Sequence, residues 1–113
     1  MNDYQTSLKA FFIKNNNLLN RVLYSEVLWI NAEGNYCIIQ TETQKHILKI
    51  SLKKLKEHLP PEHFIQIQRG YIVAIDKIEN VDTATNQVII KEKSLPLGRN
   101  YQKSLLSMLP IIK

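Results

Sequence analysis

The stretch that decides the fold is Phe64-Ile65-Gln66-Ile67-Gln68-Arg69-Gly70-Tyr71-Ile72-Val73-Ala74-Ile75, two apolar runs around a Gln-Arg-Gly interruption. In the first run apolar residues alternate imperfectly with two glutamines, which predicts a strand with one buried face and outward-facing glutamines. The second run, from Tyr71 to Ile75, is apolar throughout, which is typical of a strand covered on both sides or of a central strand. Gly70 permits a turn between the runs, so Arg69 lies at a strand end.

Composition predicts one domain with a basic surface. The chain has 113 residues, 44% of them hydrophobic, which suits a single modest core and leaves no room for a second domain. Fifteen Lys and Arg against ten Asp and Glu give a net charge of +5, and the surplus lies mainly in residues 51–113. This balance favours a polyanionic partner, and a solvated basic surface is the other interpretation.

Cys37 is the single cysteine, which excludes an intrachain disulfide and fits a reducing compartment. Its apolar neighbours favour the role of a small buried hydrophobe. No apolar run approaches the roughly eighteen residues needed to cross a bilayer, and the N-terminus lacks a charged-then-apolar leader. We therefore expect a cytoplasmic protein with no membrane partner.

Short β-type runs fill the first half of the chain. Residues 1–9 are expected to form a loose lead-in to a domain over residues 10–113. Asn15-Asn16-Asn17 supplies turn chemistry between the first two strands, because Asn tolerates positive φ. No helix separates the strands, so antiparallel pairing is expected. The predicted strands are Phe11–Lys14, Leu18–Leu23, Glu26–Asn31, Tyr36–Thr41 and Lys45–Ile50.

Two helices are predicted in the second half. Ser51 is a typical N-cap before a leucine stripe that stops at Pro60, which predicts a helix near 51–59. A C-terminal helix is predicted near 99–109, ending at Pro110. Its buried face comprises Tyr101, Leu105, Met108 and Leu109. Between the helices, Ile78–Asp82 and Gln87–Lys91 are predicted to form a hairpin. The predicted fold class is mostly β with minor α, built from elongated antiparallel sheets.

Residues suited to catalysis are scattered. His46, His58 and His63 lack metal-ligand spacing, and the carboxylates do not cluster. The sequence contains neither a Gly-rich phosphate loop nor a nucleophile turn. We therefore predict a protein that is not an enzyme and uses no metal or cofactor.

A side chain able to read a base edge stands beside each of the three glycines. Asn35 follows Gly34, Arg69 precedes Gly70, and Arg99 follows Gly98. Arg matches guanine and Asn matches adenine in the major groove, while Arg also suits phosphate or a narrow minor groove. Each residue taken singly is also compatible with an ordinary loop. Together with the basic surplus, the three favour nucleic-acid binding by loops on a β scaffold.

Four pieces of sequence, in this order and at this spacing, resemble the LytTR DNA-binding domain of bacterial response regulators. They are Glu26–Ile30 followed by Gly34-Asn35-Tyr36, then Ser51–Leu55, then Phe64–Val73, then Leu95–Tyr101. The resemblance extends from about Phe11 to Leu109. It implies an elongated, mostly antiparallel β fold whose loops enter successive grooves of double-stranded promoter DNA, often at paired direct repeats.

Carried over residue by residue, the resemblance implies base-reading positions at Asn35, Arg69 and Arg99. Asn100 and Lys77 complete the predicted DNA-binding residues, with other lysines as generic phosphate contacts. The chain departs from the family in three places. Gly70 and Gly98 stand where Ser is usual, and Ala74 stands where Asn often ends the strand.

The sequence therefore predicts a sequence-specific DNA-binding domain of a bacterial transcriptional regulator of the two-component response regulator type. A homodimer on DNA is an expected assembly, and the receiver domain usual in the family is not expected within this chain. The alternative is a small β protein-interaction module whose basic face is incidental; it predicts an exposed apolar patch.

Overall fold

Ten strands and two helices occupy residues 8–113, the part of the chain that the computed structural model describes. Residues 1–7 of the predicted lead-in lie outside that part. The principal extents are 48 × 33 × 25 Å, and every strand pair is antiparallel. The predicted fold class is therefore confirmed.

An N-terminal hairpin consists of β1 (Ala10–Asn15) and β2 (Leu18–Leu23). Asn16 in its turn has a φ of 57°, the left-handed conformation that Asn adopts more readily than most residues. The predicted asparagine turn is thus confirmed. The ring of Tyr24, just after the hairpin, packs 6.0 Å from that of Phe11 and edge-on at 5.6 Å from that of Phe64. These contacts anchor the hairpin to the body of the protein.

Five strands form the central sheet. In chain order they are β3 (Val27–Glu33), β4 (Tyr36–Thr41), β5 (Lys45–Leu48), β6 (Phe64–Gln68) and β7 (Tyr71–Ala74). Across the sheet the order is β5-β4-β3-β7-β6, so β7 pairs with β3 on one side and β6 on the other. The apolar run that begins at Tyr71 was predicted to be a strand covered on both sides or a central strand. Both descriptions are correct, because β7 lies inside the sheet and is covered on both faces.

Two layers cover the faces of the central sheet. On the first face, the β1–β2 hairpin and helix α1 (Leu52–Lys56) form a core with Ile30, Ile39 and Ile72. The second face packs against helix α2 (Arg99–Ser107) and a three-stranded sheet. The strands of that sheet are β8 (Asn80–Asp82), β9 (Gln87–Ile90) and β10 (Lys93–Pro96). A sheet buried on both faces needs apolar residues on both sides of its strands, which explains the continuous run in β7.

Two β-bulges alter the alternation of side chains in the central sheet. The register shifts between Val27 and Trp29 in β3 and between Gln66 and Gln68 in β6. A bulge inserts one extra residue, here Leu28 and Ile67. As a result Leu28 and its neighbour Trp29 both pack in the core of the second face.

Several predicted boundaries differ from the structure. β10 was not predicted, because its sequence reads as a lead-in to the last helix; Pro96 is tolerated at the end of this edge strand. α1 ends at Lys56, yet Leu59 stays buried because the chain continues in a tighter turn, with the Leu59 amide bonded to the Lys56 carbonyl. α2 ends at Ser107, so Met108 leaves the buried stripe and is 43% exposed. Neither helix of the described part is long and apolar enough to span a membrane.

Truncating Ile30 tests the double-sided core. Ile30 is 0% exposed in the middle of the sheet, so Ile30→Ala should lower the free energy of unfolding by roughly 2–5 kcal/mol through the cavity it leaves. Urea denaturation measures the change. Ile47→Ala is the matched control: this residue of the same sheet is 64% exposed, and its truncation should change stability by only about 0.5 kcal/mol. Similar losses from both variants would contradict the described burial.

Candidate nucleic-acid interface

Two turns lie at the same end of the central sheet. The β3–β4 turn contains Gly34 and Asn35, and the β6–β7 turn contains Arg69 and Gly70. The Ala32 amide donates to the Gly70 carbonyl at 2.9 Å, which fixes the turns side by side. At the usual strand spacing the turns are roughly 10 Å apart across the sheet, and the tip at Gly34 and Asn35 projects about 7 Å further.

The start of α2 joins this end through the bulge in β6. The Gly98 amide donates to the Ile67 carbonyl at 2.7 Å. Because Ile67 is the bulged residue, its carbonyl is released from the ladder with β7 and meets the helix instead. Arg99 and Asn100, the first residues of α2, therefore lie beside the β6–β7 turn.

Four of the five predicted site residues thus come together at one end of the sheet. Asn35, Arg69, Arg99 and Asn100 are all exposed there. We name this surface the turn end, comprising the β3–β4 turn, the β6–β7 turn and the first turn of α2. An end that presents two guanidiniums and two carboxamides can donate hydrogen bonds to base edges and phosphates at once.

Lys77 does not join the other four. It lies in a 3-10 turn that follows the far end of β7. This turn is near Glu42, whose pKa is lowered mainly by the hydrogen bond and charge of Lys91 and further by the charge of Lys77. Glu42 follows the last residue of β4, at the opposite end of that strand from Asn35. The residue types of Lys77 and its neighbours gave no sign of this separation, which follows from the strand pairing.

Two glutamines hold the peptide bond that joins Arg69 to Gly70. Gln66 donates from Nε2 to the Arg69 carbonyl at 3.2 Å, and the Gly70 amide donates to Gln68 Oε1 at 2.7 Å. We call these two hydrogen bonds the glutamine clamp. Lys56 of α1 donates to Gln66 Oε1 at 3.0 Å and so connects the clamp to the helix. Since both polar groups of one peptide are bonded, the direction in which the chain leaves Arg69 is fixed.

These glutamines were missed as contributors to the site. They were expected only to face outward, whereas both are partly buried and bonded to the turn. The signal that was available is their position, since they stand three and one residues before an Arg in an otherwise apolar strand.

The three glycines occupy different structural settings. Gly34 has a φ of 60°, which favours glycine in the β3–β4 turn. Gly70 does not adopt positive φ, and a Cβ there would meet Gln68 Oε1 at an ordinary 3.5 Å, so the freedom expected of this glycine is not used. At Gly98 a Cβ would lie 2.9 Å from the Tyr101 ring, so the missing side chain makes room for that ring. Gly98 is the N-cap of α2, so no side chain caps this helix.

Within residues 8–113 the two arginines of the turn end form no ion pair. The ion pair that is present joins Lys91 Nζ to Glu42 Oε1 at 2.7 Å, at the other end of the sheet. Its hydrogen bond and charge raise the pKa of Lys91 and lower that of Glu42. The positive charge at the turn end is therefore available to an anionic partner.

Groups suited to metal binding do not converge in the described part of the chain. No three His, Cys, Asp or Glu residues there could hold a metal ion together. Cys37 is fully buried, as predicted, and its thiol donates to the Ile50 carbonyl at 3.2 Å. Burial raises the pKa of Cys37, which disfavours the reactive thiolate.

Comparison with known proteins identifies a family for this chain. The family model described as the LytTr DNA-binding domain matches residues 18–110. An uncharacterized response regulatory protein of Vibrio cholerae is 32% identical over 106 residues, which cover 88% of this chain and 40% of that protein. Sensory transduction protein LytT of Bacillus subtilis is 23% identical over 90 residues, or 76% of this chain and 37% of that protein. The chain therefore spans less than half the length of either relative.

A solved structure shares the fold. The LytTr DNA-binding domain of a Bacillus cereus response regulator superposes with a TM-score of 0.75 at 20% identity, covering 91% of this chain and 98% of that one. At this identity the likeness concerns the arrangement of strands and helices.

Replacing Gln68 tests the clamp. Gln68→Leu removes the acceptor of the Gly70 amide, a partly buried donor, which costs about 1 kcal/mol locally. The Gly70 amide should then exchange with solvent roughly fivefold faster, as measured by NMR hydrogen exchange. Gln44→Leu, in the exposed β4–β5 turn, is the control and should leave Gly70 unchanged. Unaltered Gly70 exchange in Gln68→Leu would show that the clamp does not hold the turn.

Proposed function

Because the chain belongs to the LytTr DNA-binding domain family, we propose that it recognises specific sequences in double-stranded promoter DNA and acts in bacterial transcription regulation. DNA binding itself is the property of the family. The finer role proposed here is that of the DNA-binding part of a two-component response regulator. The names of the Vibrio cholerae and Bacillus subtilis relatives support this role.

One observation carries the proposal: Asn35, Arg69 and Arg99, chosen from the sequence alone, are exposed at the same end of one rigid sheet. Their supports are backbone hydrogen bonds, from Ala32 to Gly70 and from Gly98 to Ile67. Side chains held on fixed turns keep their spacing, which a regular duplex requires of any protein that reads more than one groove.

The chemistry of each side chain suggests its contact. Arg99 and Arg69 are proposed to read guanine through N7 and O6, or to enter a narrow minor groove. Asn35 suits adenine, through N6 and N7. Asn100 is proposed to contact the DNA backbone next to the site of Arg99. The first amides of α2 lack partners within the helix and can contact phosphate there too.

Lysines are proposed to contribute attraction without specificity. Lys103 in α2 and the lysines of α1 are exposed cations of the described chain. Contacts from such residues to phosphate release counterions and strengthen binding to all sequences. Lys77, at the far end of the sheet, is not included among the proposed contacts.

Two copies are proposed to bind paired direct repeats. One turn end presents few base-reading side chains, so a single copy reads a short site. A second copy on a repeated half-site about one helical turn away would raise specificity. In this arrangement the two copies would form a homodimer on DNA.

Selection of binding sites from random duplex DNA tests the proposal. We expect enrichment of a short element containing G·C and A·T positions, repeated in the same orientation at a spacing near 10–10.5 base pairs or a multiple. Sequencing of the bound pool measures it. If no sequence is enriched and duplex DNA is not retarded even at low salt, the protein-interaction alternative is favoured instead.

Replacing Arg99 separates base reading from phosphate contact. Arg99→Ala should weaken binding to the selected site by about 1–3 kcal/mol and binding to random DNA much less, because a bidentate contact to guanine is lost. Lys103→Ala, in the same helix, should weaken both about equally and reduce the salt slope by roughly one unit. Titrations by fluorescence anisotropy at several salt concentrations measure both. Equal losses for Arg99→Ala on the two DNAs would show that Arg99 contacts only phosphate.

A further inference from the structure

A groove of about 350 Å³ lies on the hairpin side of the central sheet, between β1, the chain just after β5, and α1. Buried apolar side chains form its floor, and partly buried apolar side chains form its walls. The floor residues are Ile13, Leu55 and Leu59, and the walls include Phe11, Leu48 and Ile50. None of these residues belongs to the turn end.

The groove runs along an unpaired strand edge. Four consecutive residues of β1, from Phe11 to Lys14, line it, and none of β2 does. Side chains of consecutive strand residues point to opposite faces, so a lining of four in a row means that the edge of β1 borders the groove. The β1–β2 sheet has two strands, so this edge has no ladder partner in the described chain. Its free amide and carbonyl groups can pair with another extended chain.

Charge around the groove has one sign. Its charged rim residues are Lys14 and Lys49, which are exposed, and no Asp or Glu is among the described residues that line it. Phe12, also on the rim, is 51% exposed. A segment that placed apolar side chains on the floor and carboxylates at the rim would complement this surface.

We propose that the groove binds an extended acidic and apolar segment of a partner protein, which adds to β1 as a third strand. Main-chain hydrogen bonds to the free edge provide affinity, and alternate side chains in the apolar floor provide specificity. A third strand also stabilises a two-stranded hairpin, which is marginal alone. A second copy of this chain is a poor occupant, because each copy carries +5, and its own edge strand β5 begins with Lys45 and is followed by Lys49.

A designed peptide tests the proposal. The probe is a terminally blocked, fluorescein-labelled ten-residue peptide that alternates Val with Glu; its counterpart alternates Val with Lys. Fluorescence anisotropy at low salt should show saturable binding of the Glu peptide and at least tenfold weaker binding of the Lys peptide. N-methylation of alternate residues of the Glu peptide should also weaken it at least tenfold, because the strand loses its donors.

Charge reversal at the rim locates the site. The double variant Lys14→Glu/Lys49→Glu should invert the preference and bind the Lys peptide instead. Lys93→Glu/Lys113→Glu makes the same change in net charge at exposed residues outside the groove and should keep the preference for Glu. Both lysine pairs are exposed, so neither change disturbs the core.

Four results would overturn the proposal. The first two are that the Glu peptide does not bind and that the two peptides bind equally well. The third is that Lys93→Glu/Lys113→Glu loses the preference for the Glu peptide as fully as Lys14→Glu/Lys49→Glu does. The fourth is that N-methylation leaves the affinity of the Glu peptide unchanged. Displacement of the peptide by duplex DNA would instead assign the groove to DNA. A dimer in sedimentation experiments that is lost in Lys14→Glu/Lys49→Glu would assign it to a second copy.

Discussion

Burial of β7 on both faces and along both edges is the constraint from which the remaining structure follows. Ile72, Val73 and Ala74 are almost inaccessible to solvent, so each face of the sheet needs an apolar layer. The hairpin with α1 provides one layer, and β8–β10 with α2 provide the other. Close-packed cores on both sides leave β7 little freedom to shift. The turn that precedes β7 is thereby fixed, and Arg69 with it.

The position of α2 depends on an irregularity in the same sheet. In a regular β6 the Ile67 carbonyl would point into the ladder with β7. The bulge instead gives that carbonyl to the Gly98 amide. One short hydrogen bond therefore links β6, next to the β6–β7 turn, to the helix that carries Arg99. Gly98 allows Tyr101 to pack over the same junction.

Local patterns predicted the parts of the fold that depend on local chemistry. The apolar run of β7, the asparagine turn after β1 and the exposed turn at Asn35 all follow from side-chain alternation and turn propensity within a few residues. The glutamine clamp, the bulges and β10 depend on neighbours distant in sequence, such as Lys56 for Gln66 and Gln87 for Pro96. Gly70 shows the limit clearly: its position in a turn was right, but its backbone does not use the conformation that glycine alone adopts freely.

Net charge alone does not locate a surface for an anionic partner, because some cations are already paired with a carboxylate and others are not. Lys91 is held by Glu42 at 2.7 Å, at the far end of the sheet, so a phosphate would have to replace an existing partner there. Arg69 and Arg99 have no ion pair in the described chain, and both stand on elements fixed by backbone hydrogen bonds. The planar fork of a guanidinium is preorganised, so it loses less conformational freedom per hydrogen bond than a lysine, and it can recognise guanine as well as phosphate. In the proposed function, specificity comes from Arg69 and Arg99, and the other cations add attraction to any duplex.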